Sequence, residues 1–258
     1  YTISKTEGTL TVTPATLTVT AVDQSMTYGD TATLAPGNGV TYSGFVGGED
    51  ESTAGITGAV AYAYATGGGT PVTVSNTLSA GTYTITPSGI AAANYTLEFK
   101  PGTLTVSASS AMTVSATGYS AKYDGAAHGI SVSSVPAGTT LYYSLTDQTY
   151  PNSSFSETNP QYTDVTGAIT IYVAAVNSNY VTAYGSATVE ITKRSVTLTS
   201  DPATQVYNGT ALTRPTVTLG GDGFVTGEGF VSTPAATGSQ TDVGNSANTI
   251  AEPALQEN

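Results

Sequence analysis

Twelve residues at the start of the chain return further along, and this repetition restricts the fold more than any other feature. Tyr1-Thr2-Ile3-Ser4-Lys5-Thr6-Glu7-Gly8-Thr9-Leu10-Thr11-Val12 recurs as Tyr95-Thr96-Leu97-Glu98-Phe99-Lys100-Pro101-Gly102-Thr103-Leu104-Thr105-Val106, identical at seven of twelve positions without a gap. A looser third copy runs from Tyr180 to Val189. Each copy leads within a few residues into another strand-like run, at 17–20, 112–115 and 196–199. Each of those leads to a Tyr turn: Tyr28-Gly29-Asp30, Tyr123-Asp124-Gly125 and Tyr207-Asn208-Gly209. Asn94-Tyr95 recurs as Asn179-Tyr180, and Thr163-Asp164-Val165 as Thr241-Asp242-Val243. Self-similarity at a spacing of this order marks a row of small modules that stack on their neighbours.

The spacing predicts modules over 14–107, 108–192 and 193–258, with 1–13 a terminal strand segment that completes a neighbouring module. The third is the shortest, and it reaches Asn258 where the other two continue with Tyr. Written as a circle, Asn258 followed by Tyr1 restores the Asn-Tyr anchor. Two arrangements fit. One is a segment of a covalent tandem array. The other is strand addition in trans, with residues 1–13 of one chain completing the third module of the next. In both, end-to-end contacts are expected through Tyr1, Ile3, Leu10, Val12 and Asn258. The chain opens on Tyr1 without Met or a signal peptide, so a mature fragment or excised piece is expected.

Local patterning predicts an all-β fold. Leu17-Thr18-Val19-Thr20, Thr103-Leu104-Thr105-Val106, Thr188-Val189-Glu190-Ile191 and Ser195-Val196-Thr197-Leu198-Thr199 alternate apolar and polar residues. A period of two buries one strand face and wets the other. The 49 Thr and 26 Ser suit that wet face, because a branched Cβ fits a pleated surface. No long 3.6-residue apolar period is present; the one short helix candidate lies near Asp50–Gly55. Short connections at 107–111 and 192–195 predict three small Ig-like β-sandwich modules in a rod. A β-grasp-like module is the fold alternative.

Composition removes several function classes. With no Cys there is no disulfide framework, thiolate metal site or Cys nucleophile. One His leaves little for a zinc site or proton relay. Six Lys and Arg against a net charge of −12 leave no basic patch for nucleic acid. No apolar run approaches the ~20 residues of a membrane helix. An enzyme is not expected.

The run from Leu17 to Val106, with Tyr28-Gly29-Asp30, Gly44-Phe45-Val46-Gly47-Gly48-Glu49, Ala80-Gly81-Thr82-Tyr83-Thr84-Ile85-Thr86, Asn94-Tyr95 and Gly102-Thr103-Leu104-Thr105-Val106, resembles the MBG/YDG-type repeat domains of bacterial surface proteins. Residues 193–258 follow the same plan through Gly221-Asp222-Gly223-Phe224-Val225 and Gly238–Gly244. The middle module departs more, keeping Tyr123-Asp124-Gly125 and Asn179-Tyr180. The resemblance implies a secreted, adhesin-like or stalk protein at the bacterial cell surface, and it transfers no catalytic residue set.

Candidate sites are few. Glu49, Asp50 and Glu51 in a Gly-rich loop are oxygen donors of the kind Ca²⁺ takes, although a solvated loop has the same composition. No other cofactor is implied. Tyr62, Tyr64 and Tyr142 are candidates for glycan contact, against core packing. Tyr28, Tyr123, Tyr207, Asn94 and Tyr95 repeat at fixed module positions and are read as structural anchors. His128 stands alone. The expected function is a structural repeat segment of an extracellular fibre, stalk or adhesin whose partners are further copies or repeats. The rival is a glycan- or protein-binding adhesin module, calcium-dependent in one version, that contacts host or matrix glycans.

Overall fold

The computed structural model describes residues 1–30, 39–147 and 149–256. Asn258 therefore lies outside the described residues. Strands are the only regular elements among them. The chain divides into two compact units. The first comprises Tyr1–Thr113, Pro136–Thr140 and Val176–Ala183; the second comprises Val114–Val135, Leu141–Ala175 and Tyr184–Asn258.

The first unit holds β1 (Ala15–Ala21), β2 (Gln24–Thr27), β3 (Val40–Ser43), β4 (Ile56–Thr66), β5 (Pro71–Val72), β6 (Gly81–Ala92), β7 (Tyr95–Lys100) and β8 (Gly102–Ser107). They form a three-stranded sheet, β3-β1-β7, and a five-stranded sheet, β2-β8-β6-β4-β5. The alternation read from sequence is the alternation of burial. Leu17, Val19 and Ala21 point inward from β1 while its threonines face out. Tyr83 and Ile85 of β6, and Leu104 and Val106 of β8, do the same. Each fully buried Leu, Ile or Val contributes about 1.5–3 kcal/mol. Two cores result. One gathers Ala21, Met26, Tyr83, Ile85, Leu104 and Val106. The other gathers Leu17, Ala54 and Tyr95, with Tyr42, Phe45, Ile56, Ala92 and Leu97 packed around them.

The second core exists because β4 and β6 are long enough to serve both sheets. Their ladder breaks register between Gly58 and Ala61. Gly58 and Gly89 face each other there at φ +91° and +88°, and a Cβ on Gly58 would sit 2.3 Å from the Gly89 carbonyl oxygen. Only glycine permits this bulge, which bends the ribbon.

Two strand pairs in this unit are parallel. β7 lies parallel to β1, with Leu17 opposite Leu97, and β8 lies parallel to β2, with Met26 opposite Val106. The module is thus closed by its last two strands returning beside its first two.

The second unit contains β9 (Ser115–Thr117), β10 (Tyr119–Lys122), β11 (Ser131–Ser133), β15 (Val196–Ser200), β16 (Leu212–Thr213), β17 (Val217–Gly221), β18 (Ser239–Gln240) and most of β12 (Thr140–Ser144), β13 (Thr166–Val176) and β14 (Ala183–Thr192). Its four-stranded sheet has the order β10-β14-β13-β12. Ile130, Tyr143, Ile171, Val173, Val189 and Ile191 form the core. β10 runs parallel to β14, with Ala121 opposite Ile191, as β2 does to β8. The remaining strands form two-stranded ribbons, β11-β9, β15-β17 and β16-β18.

The chain is all-β and sandwich-like, with no closed barrel among the described residues. One expectation is corrected. The helix candidate at 50–55 is a single turn, closed by Ala54 N donating to Asp50 O at 2.9 Å. The Asp50 carboxylate caps its start by accepting from the Ser52 and Thr53 amides, and Gly55 at φ +65° ends it. A β-grasp module therefore has no helix among these residues.

Candidate functional site

The repeated anchors serve module closure. Ala15 N donates to the Asn94 carbonyl at 3.1 Å, and Ser109 N donates to the Asn179 carbonyl at 2.9 Å. Tyr28 N donates to Ser107 O and Tyr123 N to Thr192 O, both at 2.9 Å. In each case the same backbone bond ties the start of a module to its returning strands. The side chains act too. Tyr95 is buried; its hydroxyl donates to Glu49 at 2.5 Å and accepts from Val46 N at 3.1 Å. The bond to Glu49 raises the Tyr95 pKa. Tyr28 meets Tyr180 edge-on, with centroids 5.3 Å apart. The Tyr123 hydroxyl donates to Glu228 at 2.6 Å, which raises its pKa. Tyr207 is exposed.

Residues 1–14 form no strand and are exposed throughout. Tyr1, Ile3, Leu10 and Val12, the apolar positions of the repeat, are all in solvent. The segment 201–208 likewise forms no ladder, and Val206 and Tyr207 are exposed. Among the described residues β15 is paired on one edge only, with β17. Beside β15 lies a cavity of about 450 Å³, lined in part by Val196, Leu198, Phe224, Phe230 and Leu255. Phe224 and Phe230 meet edge-on at its wall, with centroids 4.8 Å apart.

The acidic loop is committed to its own structure. Glu49 accepts from Tyr95. Asp50 accepts from the hydroxyls and amides of Ser52 and Thr53, and those bonds lower its pKa. Glu51 raises the Tyr42 pKa as the second cause after burial. Among the described residues no three Asp, Glu or His side chains converge as a metal site would require.

The tyrosines do not form one platform. Tyr62 and Tyr64 of β4 pack on the core of the five-stranded sheet. Tyr64 donates to Gln24 at 3.3 Å. Tyr142 belongs to the second unit and lies on Tyr150 at 4.5 Å between centroids; Tyr150 meets Phe155 edge-on. A hydrogen bond to Tyr150 pushes the Tyr142 pKa up to about 12. His128 stacks on Tyr119 at 3.6 Å, with Nε2 2.9 Å from Asp124.

One cluster escaped the sequence reading. Asp222 accepts from Lys122 Nζ at 2.5 Å, and from the Ser195 amide and hydroxyl at 2.8 and 2.9 Å. These bonds, that with Lys122 foremost, hold its carboxyl well below the ordinary range. Arg194 donates to the backbone carbonyls of Tyr123, Asp222 and Gly223. The cluster ties residues 122–123, 194–195 and 222–223 together. The sequence offered only Asp222 as a turn residue between two glycines, which points to no distant partner.

The family model of the MBG domain (YGX type) matches residues 17–105. No curated protein sequence matches the chain. Among solved structures, the extracellular domains 3-5 of Drosophila OTK align at 12% identity over 82% of this chain and 78% of that one, with a TM-score of 0.24.

Proposed function

We propose that this chain, with an MBG domain at residues 17–105, is a structural repeat segment of an extracellular bacterial fibre, stalk or adhesin. Its role is non-enzymatic, and copies of the segment join end to end through residues 1–13. The observation that carries this reading is the recurrence of one closing device. The parallel return of the last two strands is fixed by Asn94 and Ser107 in one module and by Asn179 and Thr192 in the next. A chain built by repeating one closing strand pair, and carrying a further exposed copy of that pair's sequence, is suited to linear assembly.

Electron microscopy and light scattering of the purified chain test this. Concentration-dependent linear assemblies are expected, and they should disappear when residues 1–13 are removed. Equally long assemblies without 1–13 would overturn the end-to-end reading.

The rival reading, a glycan-contacting adhesin module, draws on the Tyr142–Tyr150–Phe155 cluster. Glycan-array binding that is lost in Tyr142→Ala would favour it.

A further inference from the structure

Half of the six Lys and Arg of the chain, Lys122, Lys193 and Arg194, gather where β14 leads into β15. The connection 193–195 forms no ladder, and Lys193 is exposed. A basic pair in an exposed, unladdered connection is what a protease specific for Lys and Arg attacks, because its pocket holds a carboxylate for that side chain. The other cations are poorer targets. Lys100 and Arg214 each precede a proline, Pro101 and Pro215, whose ring and missing N–H do not suit such a site. Lys122 belongs to β10, whose ladder with β14 sets it opposite Thr192. Lys5 lies in the exposed segment 1–14.

The connection is nevertheless held shut. On one side Tyr123 N donates to Thr192 O at 2.9 Å. On the other, the Ser195 amide and hydroxyl donate to Asp222 Oδ2 at 2.8 and 2.9 Å, and Asp222 N donates to Ser195 O at 2.7 Å. Between them the Arg194 guanidinium is occupied by backbone carbonyls. Its Nε donates to Gly223 O at 2.8 Å, Nη1 to Tyr123 O at 3.2 Å and Nη2 to Asp222 O. Lys122 Nζ holds the second oxygen of Asp222 at 2.5 Å. The flanking loops lock in turn: the Tyr123 hydroxyl donates to Glu228 at 2.6 Å, and a Cβ on Gly125 would lie 3.3 Å from Val225 Cγ1. Proteolysis needs an extended scissile segment and a basic side chain free to enter the protease pocket. Neither is present while Asp222 and Arg194 are engaged.

We propose that the bonds after Lys193 and Arg194 are the site at which proteases specific for basic residues process this chain, and that the clamp on Asp222 keeps the site latent. Cutting after Arg194 adds water across its amide bond to Ser195. It leaves a carboxylate on Arg194 and an amine on Ser195, and it divides the chain into 1–194 and 195–258. The opening that permits it is local. Asp222 and Arg194 let go, while the core around Tyr143 and Ile171 stays in place. Where opening and closing are fast relative to cleavage, the rate of cutting reads the population of the open form. The Lys122 side chain is 55% exposed, so salt screens its pair with Asp222 and loosens the clamp.

Trypsin digestion of the whole chain, followed by intact mass, tests this. Lys5 is exposed, and its cutting sets the scale of protease activity. Cutting at 193–194 in the wild-type chain is expected roughly 10–100-fold slower, the protection given by bonds to charged groups. Asp222→Asn keeps the shape and removes the charge, and should speed that cut roughly 5–20-fold. Lys122→Gln should speed it roughly 2–5-fold, although it takes one tryptic site away. Raised salt should speed the wild-type cut and leave that of Lys122→Gln nearly unchanged. Chymotrypsin, which cuts after Tyr, reads opening of the core at the buried Tyr143. Ile171→Val loosens that core without touching the clamp, so it should speed cutting at Tyr143 and leave 193–194 unchanged. A wild-type cut at 193–194 as fast as at Lys5 would overturn the proposal, as would a rate that neither Asp222→Asn nor Lys122→Gln moves. Equal acceleration of both cuts by Ile171→Val would also overturn it, because the site would then open only with the core.

Discussion

Residues 14–107 and 193–256 share sequence motifs and differ in how their strands are paired. In residues 14–107 the edge of β1 is covered by β7, and Leu17 and Tyr95 are buried. In residues 193–256 β15 pairs, among the described residues, with β17 alone, and Val196, Leu198, Phe224, Phe230 and Leu255 line a cavity. Both contain the Val-to-Glu turn, a positive-φ glycine against a carbonyl and an antiparallel first pair, although the pair in 193–256 is displaced by two residues relative to the turn. The frame of a module is therefore set by its first half, through local turns and one hairpin-like pair. In the first module the closing strands β7 and β8 supply burial through Tyr95, Leu97, Leu104 and Val106.

The largest effect that can break this comparison comes from the closing strands themselves. Leu104 of β8 is fully buried, so Leu104→Ala should cost about 2–5 kcal/mol in the unfolding of the first unit. Its counterpart Leu10 is exposed, and Leu10→Ala should change the stability of the separate chain by less than about 0.5 kcal/mol. Denaturant titration at dilute concentration measures both. A cost above about 1 kcal/mol for Leu10→Ala, twice the ordinary surface limit, would mean that residues 1–13 are packed in the free chain.

Next in size is the hydroxyl of the closing tyrosine. Tyr95→Phe removes a bond to a carboxylate and one to a backbone amide, at a cost of about 1.5–3 kcal/mol. Tyr1→Phe should leave the separate chain unchanged and weaken association instead. An effect on unfolding from Tyr1→Phe would break the asymmetry between donor and core.

The glycine pair sharpens the likeness. Gly44 has φ +112° and Gly221 φ +80°, each with a carbonyl oxygen where a Cβ would go. Gly44→Ala and Gly221→Ala should each lower the melting temperature of the unit that contains it, by strain of about 1–3 kcal/mol. A tolerated Gly221→Ala beside a damaging Gly44→Ala would show that the two frames are not equivalent.

What could be read from sequence follows the range of the forces. Period-two alternation is local, and it located β1, β8, β14 and β15. Repetition located the anchors Asn94, Asn179, Tyr28 and Tyr123, whose backbone bonds fix the closing strands. The calcium reading of Glu49, Asp50 and Glu51 came from adjacency alone. It could not show that Glu49 turns to a tyrosine 46 residues away, or that Asp50 is used by its own turn. Tyr62 and Tyr64, two residues apart on β4, share a strand face, but only tertiary packing decides that this face is the core. Asp222 was visible as a turn residue between glycines. Its bond to Lys122, 100 residues distant, was not.

That bond gives the smallest effect and a pH test of it. Asp222 titrates below its ordinary value of 3.8 in the folded chain, chiefly because Lys122 and Ser195 bind its ionised form. A carboxyl depressed by folding stabilises the native state above its unfolded pKa, and the contribution is lost as pH falls through the folded value. The wild-type chain should therefore melt higher than Asp222→Asn at neutral pH, and the gap should narrow below about pH 4. The Lys122 side chain is 55% exposed, so salt screens part of the pair, whereas the bonds from the Ser195 amide and hydroxyl persist. High salt should accordingly shrink the gap without closing it. Asp50 is also depressed, but by Ser52 and Thr53 within its own turn, so Asp50→Asn should act on the first unit and be insensitive to salt. A gap for Asp222→Asn that stays constant from neutral pH to acid would show that the carboxylate charge does not hold residues 122, 195 and 222 together. The third module's frame would then rest on its turns alone.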